Sequence, residues 1–253
     1  MTVVYDGTNY GGWQNQPNST SIQSLIEKAL FTLYKQDITV IGSGRTDAGV
    51  HALGQIAHFT LPLEADLYKL GHSLNGLLPK DIRITNMEQS PLNFHARYDA
   101  TGKIYHYHLH LDKVLNPFTR LYSWHVPHRV NRQTLQDAAQ IFVGTHDFRA
   151  FANESHKGAA SKNSIRTIQR LDILEEDGGV RLEFEGDGFL YKMVRNITGT
   201  LMAVCAGHID IASLKNLLLT KDRQKTGNTA PPQGLFLMKV FYKEESNSVK
   251  ELN

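Results

Sequence analysis

Cysteine is almost absent. Cys205 is the single one in 253 residues, which excludes an internal disulfide and a zinc site built on cysteines. Long apolar runs are missing as well: the longest, such as 201–206, fall far short of the roughly 20 residues that a helical bilayer span needs. Neither sign of charge dominates, since 27 Lys and Arg against 25 Asp and Glu leave a net of +2. That excess is too mild to mark a nucleic-acid binder by itself. Met1 runs directly into the strand-like Val3-Val4-Tyr5, without a basic segment followed by an apolar one. No signal peptide is therefore expected, and the chain is expected to be soluble and cytoplasmic. What remains is ordinary globular composition, 41% hydrophobic and 21% charged, which excludes disorder, collagen and coiled coil. A chain of this length buries roughly 70–75% of its unfolded surface, enough for one large domain or two modest ones.

Periodicity sets out the elements. Residues 2–5 read as a strand and Asp6-Gly7-Thr8-Asn9 as a turn. Ile22, Leu25, Ile26, Ala29, Leu30 and Leu33 fall at helical spacing, with a Thr20/Gln23 capping-box pattern at the start. Strands are predicted at 38–41, 55–60 and 82–87, with a second helix over Leu67, Leu70, Leu74, Leu77 and Leu78 ending at Pro79. In the second half, strands are predicted at 103–111, 121–126, 165–175, 180–186 and 235–242, and helices over 134–143 and 190–204. The turn Asp177-Gly178-Gly179 marks a hairpin. Hairpins and short strand spacings favour an α+β fold with mostly antiparallel sheets over a doubly wound parallel sheet. A domain boundary is expected near Ala100, giving units 1–100 and 101–253. A weak echo between Tyr5-Asp6-Gly7 and Glu185-Gly186-Asp187-Gly188 hints that the two are related.

Four stretches carry chemistry. The densest is Gly42-Ser43-Gly44-Arg45-Thr46-Asp47-Ala48-Gly49-Val50-His51. It fails as a dinucleotide fingerprint, because Asp47 stands where the third glycine belongs, and it lacks the Gly-Lys-Ser/Thr ending of a P-loop. What is left is one carboxylate, Asp47, two residues from the guanidinium of Arg45. Such an aspartate is either a turn residue or a catalytic group. In Lys103-Ile104-Tyr105-His106-Tyr107-His108-Leu109-His110, strand alternation puts Tyr105, Tyr107 and Leu109 on one face and the three histidines on the other. The tyrosine face is either core or a platform for a stacked base. The histidines read as an exposed sheet face, because no matching carboxylate or distant histidine is evident, and no metal is expected. In the third stretch, 184–195, Arg195 sits among core-spaced residues, where a guanidinium needs a buried carboxylate partner. Finally, 149–170 holds five basic residues, Arg149, Lys157, Lys162, Arg166 and Arg170, against one acid, Glu154. It reads as a mobile basic loop leading into a strand, either solvated surface or a contact for phosphates.

These residues match a known pattern. Tyr5-Asp6-Gly7-Thr8, Gly12-Trp13-Gln14, Gly44-Arg45-Thr46-Asp47-Ala48-Gly49-Val50-His51-Ala52, Phe94-His95-Ala96-Arg97 and Lys103-x-Tyr105-x-Tyr107 resemble the tRNA pseudouridine synthase A family. So do Gly144-x-His146-Asp147-Phe148, Gly188-Phe189-Leu190-x-x-Met193-Val194-Arg195 and Ala230-Pro231-x-x-Gly234-Leu235. The matches run in order from about Tyr5 to Tyr242, and the Gly-Arg-Thr-Asp-Ala-Gly-Val-His run is highly specific. Gly102 departs from the pattern, standing where a polar or basic residue is usual.

The resemblance implies isomerisation of uridine to pseudouridine at positions 38, 39 and 40 in the anticodon arm of tRNA. It further implies two related α+β domains flanking a basic RNA-binding cleft, a homodimer and no cofactor. By the same resemblance Asp47 is the catalytic aspartate, Tyr105 the base-stacking tyrosine, Arg195 the arginine that pairs with the aspartate, and Arg45 a residue that helps hold the flipped nucleotide. Lys157, Lys162, Arg166 and Arg170 are the candidate RNA contacts. The chemistry is self-contained: the bond from ribose C1′ to N1 breaks, the uracil turns, and C5 joins C1′. A carboxylate serves by covalent attack or by removing a ribose proton, and the sequence leaves both open. The uridine must leave the stack, and an aromatic face can receive it. Two rivals stand beside this reading. A non-catalytic tRNA-binding module would show the same basic loop and tyrosine platform but gives no reason for Asp47, and a glycoside hydrolase would require a second carboxylate that the Asp47 cluster lacks.

Overall fold

The computed structural model describes residues 1–153, 163–220 and 222–243. The elements run β1 (Thr2–Tyr5), α1 (Ile22–Tyr34), β2 (Ile41–Gly42), β3 (His51–His58), α2 (Leu67–Leu77) and β4 (Ile82–Asn86). They continue with β5 (Ala100–His110), β6 (Trp124–His125), α3 (Arg132–Gln140), β7 (Gly144–Asp147), β8 (Ile165–Glu176), β9 (Gly179–Gly186), α4 (Met193–Cys205), α5 (Ser213–Thr220) and β10 (Leu235–Tyr242). One ten-stranded sheet has the order β4-β1-β3-β10-β5-β9-β8-β7, with β2 on β3 and β6 on β5. All neighbours are antiparallel except β3 with β10 and β5 with β6, so the expected α+β, mostly antiparallel class is what forms.

The last strand is what joins the halves. β10 lies between β3 and β5, placing Leu237 opposite both Ala52 and Tyr105. Ala100 opens β5, and the sheet runs unbroken past it. The core is likewise shared: Ile22, Ile26 and Leu30 of α1, Leu182 and Phe184 of β9, and Ile197 and Leu201 of α4 belong to one cluster. Each fully buried aliphatic side chain contributes about 1.5–3 kcal/mol, so truncating Leu201 to alanine costs roughly 2–5 kcal/mol once the cavity is included. No helix among the described residues is long and apolar enough to cross a membrane.

Several boundaries differ from expectation, each for a local reason. The cap of α1 is Ser21 with Ser24, not Thr20 with Gln23: Ser24 N donates to Ser21 Oγ at 3.1 Å and Ser21 N to Ser24 Oγ at 3.2 Å. The Thr20 carbonyl is instead engaged by Gly11 N. The strand predicted over 38–41 shrinks to Ile41–Gly42, because side chains of α1 take the Val40 backbone: Glu27 Oε1 accepts from its N–H and Gln23 Nε2 donates to its carbonyl, both at 3.0 Å. α4 begins at Met193 rather than Leu190, since Lys192 adopts a left-handed φ of 60°. β7 and α5 were not anticipated; β7, with the sequence Gly-Thr-His-Asp, carries no apolar alternation. Of the expected mobile loop, 154–162 lies outside the described residues. Arg149 sits in a 3-10 turn, Phe148–Phe151, while Arg166 and Arg170 belong to β8.

Candidate active site

The loop between β2 and β3 is fixed almost atom by atom. Ser43 N donates to Ile56 O at 2.7 Å, Ser43 Oγ to Gln55 Oε1 at 2.7 Å, and Gln55 Nε2 to Gly44 O at 2.9 Å. Trp13 N donates to Thr46 O at 3.2 Å, and the Tyr5 and Thr46 hydroxyls lie 2.8 Å apart. Gly12 makes this close approach possible: its φ is +91°, and a Cβ there would stand 2.3 Å from Thr46 O. With its neighbours so held, Asp47 has little freedom except in its carboxylate.

That carboxylate meets Arg195. Arg195 Nη1 donates to Asp47 Oδ2 at 2.6 Å, and both side chains are largely buried, 11% and 16% exposed for Arg195 and Asp47. The guanidinium is fixed from behind, because Nε donates to Ala230 O at 2.7 Å while Ala230 N returns a bond to Arg195 O. Asp47 is thus the partner that Arg195 needs in its core-spaced position on α4. Asp47 Oδ1 takes no hydrogen bond among the described residues.

Tyr105 lies on β5 opposite Phe184 and Leu237, with its ring edge-on to Phe189 at 5.2 Å. Its residue is 8% exposed, so the tyrosine face is mostly core while the hydroxyl remains within electrostatic reach of Tyr5 and Asp47. Burial, and then those two neighbours, raise its pKa far above the ordinary tyrosine range. It is therefore a neutral phenol at any working pH, able to donate a hydrogen bond.

The remaining candidates are placed apart. Arg45 is exposed and points to Gln14, donating from Nε to Oε1 at 3.2 Å, rather than to Asp47. Arg166 is half-buried and donates to the carbonyls of Asn163 and Ile165, with no carboxylate partner among the described residues. Arg170 contacts three carboxylates, Asp172 at 2.6 Å, Glu183 at 3.0 Å and Glu185 at 3.3 Å. Lys157 and Lys162 lie outside the described residues.

The histidine face is corrected by the structure, because carboxylates do stand opposite it. His106 lies 3.3 Å from Glu183 and His108 2.7 Å from Glu176, and Arg181 bridges both glutamates. Burial lowers the pKa of His106 despite Glu183. Glu183 is held below the usual carboxylate range, against its own burial, by Arg170, His106 and Arg181. His110 instead turns its Nε2 to Val114 O. No group of three or more His, Cys, Asp or Glu suited to a metal occurs among the described residues.

Sequence reasoning missed a support behind Arg195. Arg223 donates to Gly227 O, Thr226 Oγ1, Thr229 Oγ1 and Asn196 Oδ1, tying the segment that carries Ala230 to α4. Asn196, directly after Arg195, completes this by donating to Phe151 O. A lone Arg in a polar stretch gives no such signal. Lys103 of the Lys103-x-Tyr105-x-Tyr107 pattern supports the Asp47 loop as well: its Nζ donates to the Ser43 carbonyl at 2.9 Å.

Fold and site define a class: an α+β protein in which one carboxylate is held by one guanidinium near a neutral phenol. Comparison with known proteins narrows it. A family model described as tRNA pseudouridine synthase matches residues 1–99 and 138–243. A protein named tRNA pseudouridine synthase A 1, from Protochlamydia amoebophila, is 55% identical over 247 residues, covering 97% of this chain and 96% of that protein. Proteins named tRNA pseudouridine synthase A from Geotalea daltonii and Acetivibrio thermocellus are 43% and 41% identical, each covering 96% of this chain and 98% of the relative. The chain belongs to the tRNA pseudouridine synthase family, isomerases that convert uridine to pseudouridine in tRNA.

Proposed function

We propose that this chain isomerises uridine to pseudouridine at positions 38, 39 and 40 in the anticodon arm of tRNA, acting as a cytoplasmic homodimer without a cofactor. The observation that carries the reading is the Asp47–Arg195 pair, with Oδ1 unbonded among the described residues and the Tyr105 hydroxyl within electrostatic reach. Arg195 holds the carboxylate in one orientation, so the free oxygen acts from a fixed position, either on C1′ or on a ribose proton. The N1–C1′ bond breaks, the uracil turns, C5 bonds to C1′, and the proton lost from C5 is balanced by the one gained at N1. Tyr105 supplies an aromatic surface for the flipped base, and its neutral hydroxyl can carry a proton at the base. Arg45 is proposed to hold the flipped nucleotide. Arg166, with Lys157 and Lys162, is proposed to grip phosphates along a basic cleft between the units 1–100 and 101–253. Arg170 is the weakest member of that set, since its charge is already balanced by three carboxylates.

The test is to map pseudouridine in tRNA from cells with and without this chain. Loss of the modification at 38, 39 and 40 alone is expected. An unchanged map, or loss only elsewhere in tRNA, would refute the assignment of positions.

A further inference from the structure

Two cations near the Asp47 loop have no carboxylate partner among the described residues, and the reaction as derived above uses neither. Lys103 projects from β5, and its amine donates to the Ser43 carbonyl at 2.9 Å, four residues before Asp47. A Cβ at position 44 would stand 2.6 Å from that amine, so Gly44 keeps one side of it clear. Arg97 lies in the turn after β4. Its backbone N–H is capped by His95 Nδ1 at 3.1 Å, and its side chain is exposed.

The turn is moored beside the same loop: Ala96 N donates to His58 Nδ1 at 3.1 Å, and His58 pairs with Ile41, two residues before Ser43. Tyr242 donates its hydroxyl to Ala96 O at 2.7 Å and packs on the Phe94 ring at 5.1 Å. His58 and Tyr242 therefore hold the turn of Arg97 next to the segment whose Ser43 carbonyl takes the Lys103 amine. Burial and then the charge of Arg97 lower the Lys103 amine to about 8, as expected where a second cation lies within electrostatic range. A half-buried ammonium with a second cation in electrostatic range is costly alone, and an anion brought by a ligand relieves both. On the reading of this chain as an enzyme acting on tRNA, on which this inference rests, the ligand is a polyanion with one phosphate per nucleotide.

We propose that Lys103 and Arg97 form a phosphate site that grips a backbone phosphate beside the target uridine, on the strand that carries it. The site would hold the sugar–phosphate chain at the mouth of the Asp47 loop while the base turns.

The experiment uses an RNA stem-loop bearing the target uridine, with an uncharged methylphosphonate at each flanking linkage in turn. Binding is measured for the wild type, Arg97→Ala, Lys103→Arg and Lys103→Met. The wild type should lose about tenfold in affinity at one of these linkages, the scale of one charge-assisted contact. Arg97→Ala should lose little there, because the contact is already gone, and its slope of log affinity against log salt should be shallower by roughly 0.7. Lys103→Arg should keep the sensitivity that Lys103→Met loses. Arg97 anchors nothing through its side chain among the described residues, so its variant separates phosphate binding from damage to the loop. If Arg97→Ala and Lys103→Met keep the wild-type salt slope and the wild-type response to the neutral linkage, Lys103 is only a strut for Ser43 and the phosphate site is wrong. Failure of the wild type to form pseudouridine in the unmodified stem-loop would instead overturn the functional reading, and this inference with it.

Discussion

Two clusters of charge on this sheet are built on opposite lines. At the Asp47 loop one carboxylate meets one guanidinium from 148 positions away, both largely buried, and one carboxylate oxygen stays unbonded among the described residues. On β8 and β9, Arg170 and Arg181 are divided among Asp172, Glu176, Glu183 and Glu185, groups from the same two strands and, apart from the buried Glu183, partly exposed. Exposed pairs of the second kind contribute roughly 0–1 kcal/mol each and are screened by salt. Breaking a buried pair of the first kind leaves an uncompensated charge and costs several times more. The comparison teaches that charge counted along a sequence is not charge available to a ligand. Arg170 belongs to the basic run 149–170 but spends its charge inside the sheet's own network.

The sharpest way to break this contrast is Asp47→Asn. Activity should fall by roughly 10⁴-fold or more, the scale seen when a nucleophile or base is removed. Circular dichroism should show a folded protein, and tRNA binding, dominated by phosphate contacts, should survive. Pseudouridine formed at near the normal rate, read by mass spectrometry, would end the assignment. Next, Arg195→Met should destabilise the protein by about 3 kcal/mol in urea melts, because Asp47 is left buried without its partner. Combining it with Asp47→Asn should recover much of that loss, and strict additivity in the double-mutant cycle would show that the pair carries no energy.

The salt dependence of tRNA binding sharpens the other side. Lys157→Ala with Lys162→Ala should flatten the slope of log affinity against log salt by about 1–2 units, with little change in the chemical step at saturating enzyme. Arg170→Ala should leave that slope as it is; an equal flattening would erase the distinction between committed and available charge. The same Arg170→Ala variant should lose no more than about 1 kcal/mol of stability, and less at high salt. The smallest effect is expected from EDTA, with any loss restored by the magnesium that tRNA needs to fold. Restoration by zinc alone would return His106, His108 and His110 to consideration as ligands.

The sequence by itself determined the local periods and the local motif. Strand alternation and helical spacing located most of the elements, because each depends on neighbours within one turn or one pleat. The Asp47 run announced its carboxylate, and the apolar spacing around Arg195 announced that a guanidinium needed a buried partner. Tertiary structure decided the rest. It chose Asp47 as that partner, slid β10 between β3 and β5, and let Gln23 and Glu27 take the Val40 backbone from an expected strand. It also faced the histidines with glutamates and committed Arg170 to three carboxylates. The physical reason is range. Periodicity is written between residues that are close in the chain, whereas ion pairs and strand pairings join residues that only the folded chain brings together.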